Sequence, residues 1–351
     1  MSFVGLDIGG AHTKLATING HFQQVTLPIW KEKDRLSEIL QQLRDAIGPQ
    51  DPVGITMTAE LADCFENKKS GVEFVVNAVQ DVFKDHQPLY YRTDGTMCSA
   101  PVAIEDWKLV AASNWHAISC LAFDEDSDFQ SGFVFDIGST TTDIIPVQSG
   151  RPVIGEQDDL ERLSNGQLYY AGIGRTPVCS LVDQVEADKG PIWVAKEFFA
   201  TMRDVLIWRN ELPALESDFD SADGRSNSKL AAGKRLARML CSDFDSIDVS
   251  LVDLLASQAR KQLVDGIAES LARVFSSHPE IPLTFVNFGA GAWLAEEVVG
   301  RTFASSKDYA QVTVRSFSEN PLVNQTAAAL AVAKKRQQAG EQSLQANSSS
   351  Q

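Results

Sequence analysis

The sequence predicts an α/β protein of two domains, each a mixed sheet covered by helices. Three observations predict it: a strand–turn–strand segment written twice in one register, an alternation of strand and helix patterns after each copy, and a small-residue turn between a strand and a helix near residue 290. Residues 4–20 and 133–149 align without a gap when Asp7 is set on Asp136. Asp7-Ile8-Gly9 then falls on Asp136-Ile137-Gly138, Thr13 on Thr142, Leu15 on Ile144 and Ile18 on Val147. Each copy reads as an apolar strand ending in a carboxylate, a turn of small and hydroxyl residues, and a second strand running to Asn19-Gly20 or Ser149-Gly150.

After the first copy, Leu36, Ile39, Leu40, Leu43 and Ile47 recur at helical spacing, and Pro49 and Pro52 close that helix. A strand follows over 53–58, then a helix with Val72, Val75, Val76, Val79 and Phe83 on one face, a strand at 89–91 and a helix through 111–121. The acidic stretch 124–128 marks the boundary between a first domain, 1–130, and a second, 131–335. The second half repeats the plan with a hairpin over 133–154, helical regions over 191–206 and 251–275, and a closing helix over 321–335. Residues 216–228, acidic and rich in Ser and Gly, read as an active-site loop or a mobile surface loop. Residues 336–351 are rich in Gln, Ser and Ala, a composition that predicts a disordered tail.

Small residues let backbone N–H groups approach an anion, Ser and Thr hydroxyls add donors, and a strand-end carboxylate can hold a hydrated Mg²⁺. Two hairpins of this kind facing each other can grip a phosphate chain. Gly9, Gly10 and Thr13 in the first copy and Gly138, Ser139, Thr140, Thr141 and Thr142 in the second are therefore the candidate phosphate-binding residues. Asp7 and Asp136 are the candidate metal ligands, unless each merely caps its own turn. Lys14 and Arg175 are candidate phosphate or carboxylate partners, or solvated surface charges. Glu60 and Asp63, past the 53–58 strand, are candidate general bases, or an acidic cluster at a helix start. His116 reads as a core histidine, and Asp223 with Arg225 as a lid ion pair or a turn.

Forty-seven acidic residues against thirty-one basic give a formal charge of −16, which opposes binding to nucleic acid and to anionic membranes. No apolar run approaches the roughly 20 residues that span a bilayer, and residues 1–3 pass directly into the first strand, so a cytoplasmic location is expected. Cys64, Cys98, Cys120, Cys179 and Cys241 form no close pair, which argues against a disulfide framework or a zinc site.

Gly5-Leu6-Asp7-Ile8-Gly9-Gly10 and residues 135–143 resemble the two phosphate motifs of the actin, sugar-kinase and heat-shock ATPase superfamily, in its hydantoinase/oxoprolinase branch. The strand 283–288 with the turn Gly289-Ala290-Gly291-Ala292 resembles its adenosine motif, which makes Gly289 and Gly291 candidate nucleotide contacts. Residues 56–65, 112–115, 172–177 and 222–225 are similar to segments of the tetrahydromethanopterin-linked C1 transfer family, of the methanofuran-synthase type. His12 departs from that pattern, which more often has Asn there, though an imidazole can also donate to phosphate. The resemblance implies a ribonuclease H-like fold with a phosphate cleft between its domains. It implies a transferase that condenses an aminomethylfuran diphosphate with a tyramine-type phenol, releasing diphosphate with the help of Mg²⁺. An ATP-dependent kinase or lactam hydrolase is the alternative, with ATP as its cofactor, and a non-catalytic nucleotide-binding regulator is the third reading. The expected partner is a small phosphorylated substrate, and a homodimer is a candidate assembly.

Overall fold

A computed structural model describes residues 2–124, 129–153, 158–188, 190–304 and 312–348. Most of the acidic boundary stretch, 125–128, and residue 154, where the second hairpin is predicted to end, lie outside the described residues.

The first sheet contains β1 (Val4–Ile8), β2 (His12–Thr17), β3 (Phe22–Thr26), β4 (Val53–Met57), β5 (Leu89–Tyr91) and β6 (Met97–Cys98), in the order β3-β2-β1-β4-β5-β6. β1 runs antiparallel to β2 and parallel to β4, with Ile8 opposite Met57. Both β1 and β4 are buried along their whole length, which is why they read as unbroken apolar runs. Alternate residues point to opposite faces. Val4, Leu6, Ile8, Val53, Ile55 and Met57 share a core with the helices Leu36–Arg44 and Lys68–Phe83. Gly5 and Gly54 turn the other way, onto the helix Ala327–Ser348: a Cβ on Gly5 would lie 1.7 Å from the Ala329 carbonyl oxygen, and one on Gly54 2.6 Å from that of Val332.

The second sheet begins with β7 (Gly132–Ile137), β8 (Thr142–Gln148), β9 (Arg151–Pro152) and β10 (Leu168–Tyr169). β11 (Gln184–Ala187) and β12 (Gly190–Trp193) form a separate antiparallel ribbon, and β13 (Thr284–Phe288) and β14 (Thr313–Ser316) complete the sheet in the order β10-β8-β7-β13-β14, with β9 on β8. With β9 set aside, and β6 as an extra edge strand of the first sheet, both sheets run third, second, first, fourth, fifth, which is the ribonuclease H-like plan. Ser149 and Gly150, both at positive φ, make the tight turn from β8 into β9 that the sequence predicts.

Two compact units interleave along the chain. One comprises Met1–Val134, Ile145–Arg162 and Arg315–Gln351, the other Phe135–Ile144 and Leu163–Val314.

Three predicted elements differ. Residues 191–206 are not one helix: Pro191 lies in β12, and the helix is Met202–Trp208, begun by a capping box in which Thr201 and Asp204 exchange hydrogen bonds. The 111–121 helix starts only at Asn114, because Ala112 takes a left-handed φ of 47° that a helix cannot contain. Where composition predicts a disordered tail, the helix that begins at Ala327 continues to Ser348. No helix among the described residues is long and apolar enough to cross a membrane.

Candidate functional site

The two hairpin turns close in the same way. The Gly9 N–H donates to the His12 carbonyl at 2.9 Å and the Gly138 N–H to that of Thr141 at 2.8 Å, so the shared register of the sequence is a shared backbone geometry. In the first unit the N–H groups of Thr58 and Ala59 both donate to the Ile8 carbonyl, which draws the carboxyl ends of β1 and β4 together. Asp7 lies opposite Lys14 across the β1–β2 ladder, and the Lys14 ammonium meets its Oδ2 at 3.1 Å. Lys14 is thus a partner of Asp7. The Oδ1 of Asp7 and the Oγ1 of Thr13 are buried with no hydrogen-bond partner. Gly10 has open space on its Cβ side, so an approaching group can reach the backbone there.

Among the described residues no group of three or more His, Cys, Asp or Glu side chains could hold a metal ion. Mg²⁺ needs no such cage, since it takes one or two carboxylates and fills its octahedron with waters and substrate oxygens. The orphaned Asp7 Oδ1 fits that role as an acceptor for the ion or its water.

In the second unit, the chain around Gly172 is laid on the second turn. Ile173 donates to the Gly138 carbonyl at 3.1 Å, Gly174 and Arg175 donate to that of Ser139 at 2.9 and 2.8 Å, and Thr142 Oγ1 donates to the Ala171 carbonyl at 2.9 Å. A Cβ on Gly172 would lie 2.4 Å from the Gly138 oxygen, so the Gly172-Ile173-Gly174-Arg175 signature brings Arg175 to the turn. Ser139, Thr140 and Thr141 are half-buried there. The turn after β13 is equally close. Gly289, at φ +80°, would place a Cβ 2.3 Å from the Oδ1 of Asp136, and Gly291 would place one 2.5 Å from the Ile137 side chain. Packing on β7 is therefore a sufficient reason for both glycines. The structure brings Asp136 and residues 138–142, 172–175, 289 and 291 together.

Glu60, three residues past β4, is buried with its Oε2 unpartnered. Burial pushes its pKa up to about 7, and the Asp159 carboxylate adds to this, while the Ala112 backbone N–H and the Lys68 ammonium pull the other way. Lys68 pairs with Asp159 at 2.5 Å, Asp159 with Arg162 at 3.3 Å, and the Arg162 guanidinium lies 4.4 Å from the centroid of the Trp115 ring. Behind Glu60 a Cβ on Gly71 would lie 2.4 Å from its carbonyl oxygen, so the first turns of the helix Lys68–Phe83 press on its backbone. Ala112, one of five non-glycine residues at positive φ among the described residues, is strained where it meets this carboxylate, and Ser113 beside it pairs its hydroxyl with that of Thr56 at 2.9 Å. Asp63 is exposed, unlike Glu60.

Sequence reasoning missed Lys68, Asp159, Arg162 and Trp115. The Asn67/Ser70 capping box marks the helix start that presents Lys68 and could have found it, but nothing local ties Asp159 or Arg162 to residue 60. Asp223 meets Arg235 at 3.1 Å and lies 3.8 Å from exposed Arg225. With Arg203 on Asp218 at 2.9 Å, this ties the 216–228 loop to its own unit. His116 is a buried residue, as expected.

Two sheets of one plan, each with a carboxylate-and-small-residue hairpin, define a protein of the actin, sugar-kinase and heat-shock ATPase fold. The chain belongs to the hydantoinase/oxoprolinase family, whose pattern matches residues 51–337. It is 35% identical over 273 residues, 76% of this chain and 80% of the relative, to the (4-{4-[2-(gamma-L-glutamylamino)ethyl]phenoxymethyl}furan-2-yl)methanamine synthase of Methanocaldococcus jannaschii. A synthase of the same name from Methanococcus vannielii is 33% identical over 139 residues, 40% of this chain and 62% of the relative. Among solved structures, the ethanolamine utilization protein EutJ of Carboxydothermus hydrogenoformans superposes with a TM-score of 0.45 at 14% identity, covering 95% of this chain and 89% of that one.

Proposed function

We propose that this protein is a synthase of the methanofuran type that joins the phenol oxygen of a glutamyl-tyramine to the furfuryl carbon of an aminomethylfuran diphosphate. Its relatives are named for the phenoxymethylfuran amine that this joining would yield. The observation that carries the chemistry is Glu60, a buried carboxylate with a pKa raised to about 7, at the same strand ends as the Asp7 hairpin. A phenol with a pKa of about 10 needs a base near neutrality, and a carboxylate lifted by desolvation is far better matched to it than an ordinary one. In the proposed step the phenol proton passes to Glu60, the phenol oxygen bonds to the furfuryl carbon, and the C–O bond to diphosphate breaks with its electron pair leaving on diphosphate. Gly9, Gly10 and Thr13, and Gly138 to Thr142 with Arg175, are the groups assigned to the phosphates, with Asp7 and Asp136 for the metal. Mg²⁺, when bound, would neutralise charge on the leaving diphosphate.

The test is to incubate the purified protein with both substrates and Mg²⁺ and follow the ether product and diphosphate by mass spectrometry. Equal amounts of both products are expected. ATP hydrolysis without ether formation would replace this reading with the kinase or hydrolase one.

A further inference from the structure

The first unit also holds a polar cavity of about 440 Å³, lined by Tyr91, His116, Cys120, Arg151, Lys334 and Lys335 among others. Its two acids are already engaged: Asp124 pairs with Lys334 at 3.2 Å, and Asp94 pairs with Arg92 at 3.0 Å and accepts hydrogen bonds from Thr96. Arg151 and Lys335 have no ion-pair partner among the described residues, although the chain as a whole carries sixteen more negative than positive charges. Two cations without ion-pair partners on the lining of one cavity favour the entry of an anion. Both act on its interior, since Lys335 opposes protonation of His116 and Arg151 favours the thiolate of Cys120.

His116 supplies direction. It is more than nine-tenths buried, its Nδ1 lies 2.8 Å from the Tyr91 hydroxyl, and its Nε2 has no hydrogen-bond partner among the described residues. Burial holds the imidazole neutral, with a pKa lowered to about 4, and holds the Tyr91 phenol protonated. The Tyr91 hydroxyl can also donate to the Cys120 Sγ at 3.8 Å; when it donates to Nδ1, at the shorter 2.8 Å, the ring proton sits on Nε2 as an unused donor. A Cβ on Gly95 would lie 3.6 Å from the ring's Cε1, in ordinary van der Waals contact, so Gly95 packs on that edge of the imidazole.

We propose that this cavity is a binding site for a compact doubly charged oxyanion, a phosphate group or a dicarboxylate, held by Lys335 and Arg151 and oriented by the Nε2–H of His116. It is separate from the hairpin turns and takes no part in the proposed ether-forming step.

The test uses the full chain with its histidines isotopically labelled, titrated at constant ionic strength with inorganic phosphate and, separately, with succinate. His21, His86 and His278 serve as internal references, and a His116→Gln spectrum assigns the signal. A saturable shift of the His116 resonance is expected, and whichever anion gives it identifies the class. In the Lys335→Ala/Arg151→Ala double variant, with Arg151 exposed and Lys335 half-buried, half-saturation should rise at least about tenfold, as loss of charged hydrogen-bond partners implies. Three results would overturn the proposal: no saturable His116 shift with either anion, an unchanged titration in the double variant, or a phosphate shift confined to His12 at the first turn.

Discussion

At the scale of single residues, Glu60 carries opposite consequences for activity and for stability. Because the base must be ionised, kcat/KM should fall as pH drops through about 7, the value to which burial raises this group. Glu60→Gln should lower turnover by about 10²-fold or more while diphosphate affinity stays near its starting value. Steady-state kinetics over a pH series checks both, and full turnover in the Gln variant would remove Glu60 from the mechanism. The stability effect has the reverse sign. A carboxylate with a raised folded-state pKa binds its proton more tightly when folded, so its contribution is intact below the ordinary range near 4.5 and is lost as pH rises through about 7. Above neutrality the buried charge costs on the order of 3 kcal/mol, and Glu60→Gln should recover part of it. Urea unfolding of both proteins at an acidic and an alkaline pH will show a gap that widens with pH. On the metal side, Asp136→Asn keeps the shape and removes the charge. It should weaken Mg²⁺-dependent diphosphate binding by a few kcal/mol, about what a charged partner contributes, as calorimetry can measure.

At the scale of elements, glycines separate packing from binding. Gly5→Ala drives a Cβ into the Ala329 carbonyl and should prevent stable folding, whereas Gly10→Ala meets nothing within 4 Å and should leave the melting temperature nearly unchanged. If the first turn cradles phosphate through its backbone, the added methyl at residue 10 should nevertheless weaken diphosphate binding in a titration; unchanged affinity would assign the turn a purely structural role. Gly291→Val cannot serve this purpose, because Ile137 and Ile173 already fill the space. Such packing explains what the sequence could reveal. The hairpins were legible because turn chemistry and strand periodicity are local, and their duplication reinforced each copy. The helix over 191–206 was misread because apolar residues in a short run do not distinguish a ribbon from a helix, although Thr201 and Asp204 wrote the true start in plain capping chemistry. Glu60 could be picked out by its place after β4, but its burial, and the Lys68–Asp159–Arg162 chain beside it, arise from contacts across ninety residues and more. No local pattern encodes those.

At the scale of the whole molecule, a charge of −16 sets up self-repulsion that salt should relieve. Thermal melts from about 0.01 to 0.15 M monovalent salt should therefore shift upward, since the Debye length falls from about 30 to 8 Å over that range; a downward shift would mean that attractive ion pairs, such as Arg235 with Asp204, outweigh the repulsion. The seating of the helix Ala327–Ser348 on Gly5 and Gly54 has its own consequence during synthesis. β1 and β4 are synthesised long before the helix that covers their second face. Until that helix is made, the face of the sheet that carries Gly5, Asp7, Gly54 and Thr56 stays uncovered and the unit is an unfinished domain. A circular permutant that moves this helix to the front of the chain should then need less chaperone help to reach the native state, by letting the sheet close while translation is still under way.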